Sequence, residues 1–449
     1  MSKPDWKTEE DAILLRPVFV TGRGYFITVA VLGAFVLWGI VSYFLQWNDG
    51  LGVTGLNFPV SWGFYIVNFV FFIGISHAGT LISAILRLSQ AEWRRPITRV
   101  AEVITVMVLG IGGMNILIDL GRPDRFANVF LYGRYQSPLL WDATSITAYL
   151  TASTVYLYIP MIPDIAILRD YSKDGWRKVF YQVLALGWEG TEYQHKVLNR
   201  AITILAVLVV PIAVSVHTVV SFVFSMTVQP MWHSTIFGPY FVVGAIFSGI
   251  AALLVAMAIL RKAFHLEDYL QPIHFNFLGL LMLVMVLLWV YFTFAEYLTT
   301  YYGNEPEEMR VFMTKINGDY ALAFWAMVVF NFIIPFPILA INRTRTIAGT
   351  VVAAISIIIG MWLERFIIIV PTLANARLHQ YQTGNYFPSI IEIGIMVGCF
   401  SMFALFYVLF SKLFPIVSIS EVREGREKTL SIVRERVRRY TPGVGKLPA

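Results

Sequence analysis

Cysteine is almost absent from this chain, with one residue, Cys399, among 449. A single thiol excludes a disulfide framework within the chain, an iron–sulfur cluster held by its own thiolates and covalently attached haem. Charge is also scarce: 14% of residues are charged, against about 25% in an ordinary soluble domain. Histidines are few, and His195, His233, His265, His274 and His379 fall near the ends of apolar runs or in loops, with no metal-ligand spacing among them. What the chain has in quantity is apolar surface, with 57% hydrophobic residues and a mean hydropathy of +0.67. That balance describes a polytopic membrane protein.

Ten apolar runs are long enough to cross about 30 Å of hydrocarbon. They cover roughly 25–46, 60–88, 98–120, 138–163, 199–227, 238–264, 272–302, 319–340, 345–370 and 388–412. Backbone polar groups in lipid must be satisfied within each segment, and no ten-residue alternating pattern of a barrel is present, so the expected fold class is all-α. Polar residues 1–24 precede the first run, which is too long for a signal-peptide core and lacks a small-residue cleavage site after it, so this end is expected to be retained.

Basic residues set the orientation. With the amino terminus inside, 27 of the 34 Lys and Arg fall in inside segments, six in outside loops and one, Arg365, within a span. This bias predicts a cell-membrane protein with both termini cytoplasmic. The net charge of +6 follows from the same rule and carries no nucleic-acid signal. The tail EVREGREKTLSIVRERVRRY reads as a solvated cytoplasmic end suited to anionic lipid.

In that frame NILIDLGRPDRFANVFLYGRYQSPLLWD, residues 115–142, lies at the outer face. Asn115, Asp119 and Arg122 fall within about 60° on one helix face. Asp142, with Trp141 beside it, heads a stripe of Ser145, Tyr149, Ser153 and Tyr156 that runs inward. A carboxylate above a hydroxyl stripe resembles a proton path, whereas hydroxyl residues alone are ordinary glue between membrane helices. Asp119 has Arg122 three residues on, so Asp142 is the better proton acceptor. Arg122, Arg125 and Arg134 are half of the outside basic charge, and with Asp124 they form a candidate docking surface; the alternative is that the loop's own aspartates neutralise them.

His77 lies near the middle of the second run, with Gly74 and Thr80 a turn to either side, where a flat ligand has room to approach. The other deep histidine, His217, lies outward of its midpoint while His77 lies inward of its own. The expected depth offset is about 10 Å. Two axial ligands of one upright haem need nearly equal depth, so haem b is disfavoured.

The sequence also carries a candidate duplication. LISAILR ending at Arg87 returns as VAMAILR ending at Arg261, FFIGI (71–75) as IFSGI (246–250), and Tyr65 as Tyr240. The expected layout is a cytoplasmic segment (1–24), a flanking helix and outer loop (25–59), a first four-helix bundle (60–227), a second (238–370), a last flanking helix (388–412) and a basic tail (413–449). His77 corresponds to Ala251 or Ala252, so only the first bundle keeps the polar site. The second bundle holds Glu296 and the adjacent Glu364 and Arg365, of which the latter two are suited to neutralise each other.

The run WGFYIVNFVFFIGISHAGTLISA, the GRPDR loop followed by SPLLWD, and PMWHSTIFGPYFVVGAIFSGIAALL resemble the NrfD/PsrC family of quinone-interacting membrane subunits, most closely the large integral membrane subunit of bacterial alternative complex III. The resemblance covers nearly all ten spans. It implies a subunit free of haem and metal that oxidises menaquinol near the outer face. Gly74, His77, Thr80, Asp119, Trp141, Asp142 and Ser145 would surround the quinol, with His77 and Asp142 catalytic. It further implies an extracytoplasmic iron–sulfur partner, c-type cytochrome subunits and a second NrfD-like membrane subunit. Proton paths would use Asp142, Ser145, Tyr149 and Tyr156 in one half, and His217, Glu296, Glu364 and Arg365 toward the other. The alternatives are the quinone subunit of a polysulfide-reductase-type molybdenum enzyme, or a secondary transporter. A transporter would show broken helices at matched positions, which Pro211 and Pro335 do not provide.

Overall fold

The computed structural model describes residues 6, 8–375 and 384–427, with the side chains of Ala78, Thr80 and Leu81 excepted. His379 and most of the basic tail lie outside the described residues. Among the described residues, ten helices are long and apolar enough to cross a membrane: α1 (Arg23–Asp49), α2 (Phe64–Leu88), α3 (Arg95–Asp119), α4 (Pro138–Tyr171), α5 (Glu192–Ser225), α6 (Phe237–Ala263), α7 (Pro272–Gly303), α8 (Ala321–Ala340), α9 (Ile347–Ala374) and α10 (Ile390–Leu413). The protein is an all-α polytopic membrane protein.

Helix starts follow the local chemistry. Prolines occupy the first turns of α3, α4 and α7, where a missing N–H costs nothing. Thr191 with Gln194 and Ser389 with Glu392 form capping boxes at the heads of α5 and α10. Within α8 the turn Val329–Ile333 widens to a π-helix just before Pro335, whose ring cannot continue the regular ladder. The apolar runs end at the first charges, but α4 and α5 continue to Tyr171 and back to Glu192, each 34 residues long, because a helix leaving hydrocarbon keeps its hydrogen bonds in water.

Helices α2–α5 close a ring, α2 packing on α3, α3 on α4, α4 on α5 and α5 back on α2. Helices α6–α9 close a second ring in the same order, and the rings meet where α6 packs on α2 and α5. Helix α1 pairs with α10 and the pair leans on α3 and α2. A Cβ on Gly39 would stand 2.8 Å from the Cα of Gly398, so these two backbones approach as only glycine permits.

The two ends of the described chain, around residues 8–11 and 421–427, lie on one face, which we call the terminal face. There Asp11 accepts a bond from Arg423 at 2.5 Å and Glu10 pairs with Arg426 at 2.5 Å. Glu421 pairs with Arg87 and Arg94, and Glu424 with Arg95. The tail's first residues are thus held in part by acids of the same face, through Arg423 and Arg426, while Glu424, Arg426 and Glu427 remain exposed.

Candidate functional site

His77 is fully buried on α2, and its ring lies 3.6 Å, centroid to centroid, from the ring of His217 on α5 at an interplanar angle of 63°. The 10 Å depth offset expected from sequence is therefore wrong, and the argument against haem built on it falls. The two helices run in opposite directions, and side chains lean toward the amino end of their own helix. His77 thus leans away from the terminal face and His217 toward it, which closes the gap. None of the four ring nitrogens makes a well-formed hydrogen bond among the described residues, although the Ala213 backbone lies near both rings and the Ile73 backbone near His217.

Tyr149 completes this cluster, its ring 5.9 Å from that of His77 and its hydroxyl donating to the Ser76 carbonyl at 3.1 Å. Seven residues toward the face opposite the termini, about 10 Å along α4, Asp142 is 5% exposed, with one carboxylate oxygen buried and unpartnered. Ser145 spends its hydroxyl on the Asp142 carbonyl at 3.0 Å, and Trp141 donates its indole N–H to the Tyr135 carbonyl at 2.5 Å, which pins the preceding loop. Gly74 does not border this cluster: the space a Cβ would fill is taken by Ser248 of α6, whose Oγ would be 3.3 Å away. The Thr80 side chain lies outside the described residues.

Toward the terminal face the stripe continues into residues that sequence reasoning passed over. The hydroxyls of Tyr156 and Ser83 are 3.2 Å apart, and Ser83 donates to the buried carboxylate of Glu102 at 2.6 Å. Glu102 was legible as a lone carboxylate inside an apolar run, the same signal that singled out Glu296 and Glu364.

At the opposite face the structure corrects the partner of Asp119. Arg122 bonds Asp124 through Nε at 3.1 Å and Nη2 at 3.0 Å, while Oδ1 of Asp119 is buried without a partner. The Arg122 guanidinium holds the Asp124 carboxyl below the usual carboxylate range. Arg125 and Arg134 are exposed and unpaired among the described residues, and Phe130, Leu131, Tyr132 and Tyr135 are exposed around them. Near the same end, a cavity of about 440 Å³ lies between α3 and the α1–α10 pair, lined by Met114, Ile118, Asp124 and Cys399 among others. It borders the outside of the first ring, not its interior.

In the second ring, Glu364 and Arg365 form a buried ion pair at 2.8 Å, and Trp289 donates to the other oxygen of Glu364 at 2.6 Å. Glu296 accepts from Ser234 at 2.7 Å. Glu296, Glu364 and Tyr240 border one small cavity together with Lys315, a residue the sequence reading did not select.

Lys315 sits on the short helix Pro306–Ile316 between spans and is 3% exposed. Burial pulls its ammonium down to about 8, opposed by the charge of Glu296. Between pH 8 and 10.5 the unfolded chain holds a proton that the folded chain has shed, so stability rises with pH across that window. Thermal unfolding of the detergent-solubilised protein is expected to show this rise, and Lys315→Met to remove it. A wild-type minus variant difference that stays flat with pH would refute the assignment.

The sequence profile of the family described as polysulphide reductase, NrfD, matches residues 52–376. A selenate reductase subunit of Mesobacillus selenatarsenatis is 24% identical over 403 residues, 86% of this chain and 93% of that protein. A putative dimethyl sulfoxide reductase membrane subunit of Halobacterium salinarum is 25% identical, covering 91% and 95% of the two chains. The Hdr-like menaquinol oxidoreductase integral membrane subunit of Archaeoglobus fulgidus is 25% identical, covering 89% and 95%.

Proposed function

The chain belongs to the NrfD family, and on that premise we propose that it is the quinone-binding membrane subunit of an oxidoreductase complex that takes electrons from menaquinol. The terminal face is then cytoplasmic and the GRPDR face outward, in a bacterial cell membrane. One observation carries the reading: two buried imidazoles in contact, with no well-formed hydrogen bond to any of their nitrogens among the described residues, beside Tyr149 and below Asp142. Buried polar groups are normally paired, and a quinol brings two hydroxyls to such a site. The relative from Archaeoglobus fulgidus, named for a menaquinol oxidoreductase, supports the substrate class.

Oxidation of a quinol releases two electrons and two protons. His77 accepts a hydrogen bond from one hydroxyl, His217, packed against it, fixes the orientation of that imidazole, and Asp142 takes a proton and returns it to the outer water. Asp119, with its unpartnered oxygen, supports the same end. Ser145, Tyr149 and Tyr156 continue toward Ser83 and Glu102, while Glu296, Glu364 and Arg365 serve a second proton path across from His217. Electrons leave to an outer iron–sulfur partner and then to c-type cytochromes, beside a second NrfD-like subunit. A second reading keeps the site and sends the electrons to a terminal molybdenum reductase, which the names of the selenate and dimethyl sulfoxide reductase relatives favour. The complex purified from its own membranes decides. Bound menaquinone with cytochrome c supports the first reading, menaquinone with molybdenum the second, and neither quinone nor quinol oxidation overturns both.

Partner docking is assigned to residues 121–136. Unpaired Arg125 and Arg134 amid exposed aromatic side chains match the composition of protein interfaces. Photo-cross-linkers at Tyr132 or Tyr135 are expected to capture the iron–sulfur partner. Capture of lipid alone would remove the docking role.

A further inference from the structure

At the terminal face the α1–α10 pair leans on α2 and α3 and leaves a wedge against α6. This wedge is a groove of about 790 Å³, walled by Phe71 and Phe72 of α2, Ala252 and Ala256 of α6, and Phe400 and Phe403 of α10. From Phe400 to Lys412 at its mouth α10 rises about 18 Å, about the depth of one leaflet of a hydrocarbon core roughly 30 Å thick. The groove is therefore shaped for an extended apolar chain that enters from one membrane surface.

Two polar features fix what that chain is attached to. At the mouth stand Arg16 and Lys412. Arg16 is exposed and makes no ion pair among the described residues. Lys412 donates to the carbonyls of Pro17 at 2.6 Å and Val20 at 2.7 Å, lies 4.9 Å from the Tyr25 ring centroid, and pairs with no carboxylate among the described residues. Elsewhere on this face Arg87, Arg94, Arg95, Arg99, Arg423 and Arg426 each pair with a carboxylate. Arg16 and Lys412 thus bring positive charge without a carboxylate partner among the described residues to the mouth of the groove, and Arg177, which bonds the Lys412 carbonyl, adds to it. Arg261, bonded to the Leu270 carbonyl, is likewise without a carboxylate elsewhere on this face. Five residues deeper on α10, about 8 Å, Tyr407 lines the wall with 9% exposure, and its hydroxyl is buried without a partner.

We propose that this groove is a binding site for one anionic glycerophospholipid of the terminal-face leaflet. An acyl chain lies between α10 and α6, an ester carbonyl accepts the Tyr407 hydroxyl, and the phosphate rests on Arg16 and Lys412. The order of groups with depth, cation, then hydroxyl donor, then aromatic and alanine wall, repeats the order of phosphate, ester and hydrocarbon in such a lipid. Both headgroup types offer the phosphate, but two cations at the mouth disfavour the added ammonium of a zwitterionic headgroup, so the anionic one is preferred.

The test uses the intact complex, delipidated in detergent and exposed to vesicles of phosphatidylcholine with or without phosphatidylglycerol, with retained lipid counted by native mass spectrometry. The wild type is expected to retain one phosphatidylglycerol per chain. Arg16→Gln, an exposed change that leaves the fold intact, and Ala256→Phe, which fills the groove, are each expected to lower retention about tenfold, with Tyr407→Phe lowering it several-fold. Should Ala256→Phe fail to assemble, Arg16→Gln carries the test alone. Equal retention of phosphatidylcholine with no response to Arg16→Gln overturns the proposal. So does loss of bound quinone in Ala256→Phe while phosphatidylglycerol retention is unchanged.

Discussion

His77→Leu in the assembled complex is expected to lower menaquinol oxidation by about 10²-fold or more, and Asp142→Asn by a similar factor, the usual scale for losing a positioned acid or base. Leucine keeps the volume that His77 fills against His217 and removes the ring nitrogens assigned to accept the quinol hydroxyl. Asparagine keeps the shape of Asp142 and removes its capacity to take a proton. His77 on α2 and Asp142 on α4 lie on different helices, and Asp142 stands about 10 Å along α4 from Tyr149. They are joined by Tyr149, whose ring lies 5.9 Å from His77 and whose hydroxyl holds the carbonyl of the neighbouring Ser76. Residues that serve one proton-coupled step fail together, so the double variant should be little worse than either single one. Near-normal turnover in assembled His77→Leu complex would remove His77 from the site. Multiplicative losses in the double variant would assign the two residues to separate steps.

The spans were legible because hydrophobic run length is a local property, and all ten recur within a few residues except where helices continue past the membrane surface. The contact of His77 with His217 was not legible. Depth counted along each helix treats residues as points on an axis, whereas the lean of two antiparallel side chains brings them together. Arg122 was misassigned to Asp119 for a related reason. Helical spacing suggested one face, but Gly121, at φ +62°, has already turned the chain off the helix, and Asp124 two residues on is nearer. Glu102 was legible and passed over, while Tyr407 carried no sequence signal, since a tyrosine in an apolar run reads as packing until its hydroxyl is seen to lack a partner. Asp164 lies one residue beyond the fourth apolar run and was not singled out, although it organises the terminal face.

Arg99→Leu is expected to destabilise the protein by about 3–5 kcal/mol, the cost of breaking a buried pair by removing one partner. Arg99 is 2% exposed and Asp164 is fully buried, with Nη1 and Oδ2 2.5 Å apart. Asp164 also accepts the backbone N–H groups of Ile419 at 3.0 Å and Ser420 at 2.9 Å and the Ser420 hydroxyl at 2.7 Å. It therefore ties α4 to the chain after α10, and that chain in turn places Glu421 on Arg87 and Arg94 beside the Ser83–Glu102 end of the polar stripe. Without Arg99 the carboxylate keeps only neutral donors and stays buried as an uncompensated charge. Removing both charges in Arg99→Leu/Asp164→Leu should cost less than the sum of the two single changes, because no lone ion remains. The Ile419 and Ser420 amides still lose their acceptor, so full recovery is not expected. Thermal unfolding gives the magnitude, and trypsin cleavage at Arg423 and Arg426 reports release of the segment. Unfolding of Arg99→Leu within about 0.5 kcal/mol of wild type, the range of a plain surface change, with cleavage no faster than before, would show that the pair does not hold this face together.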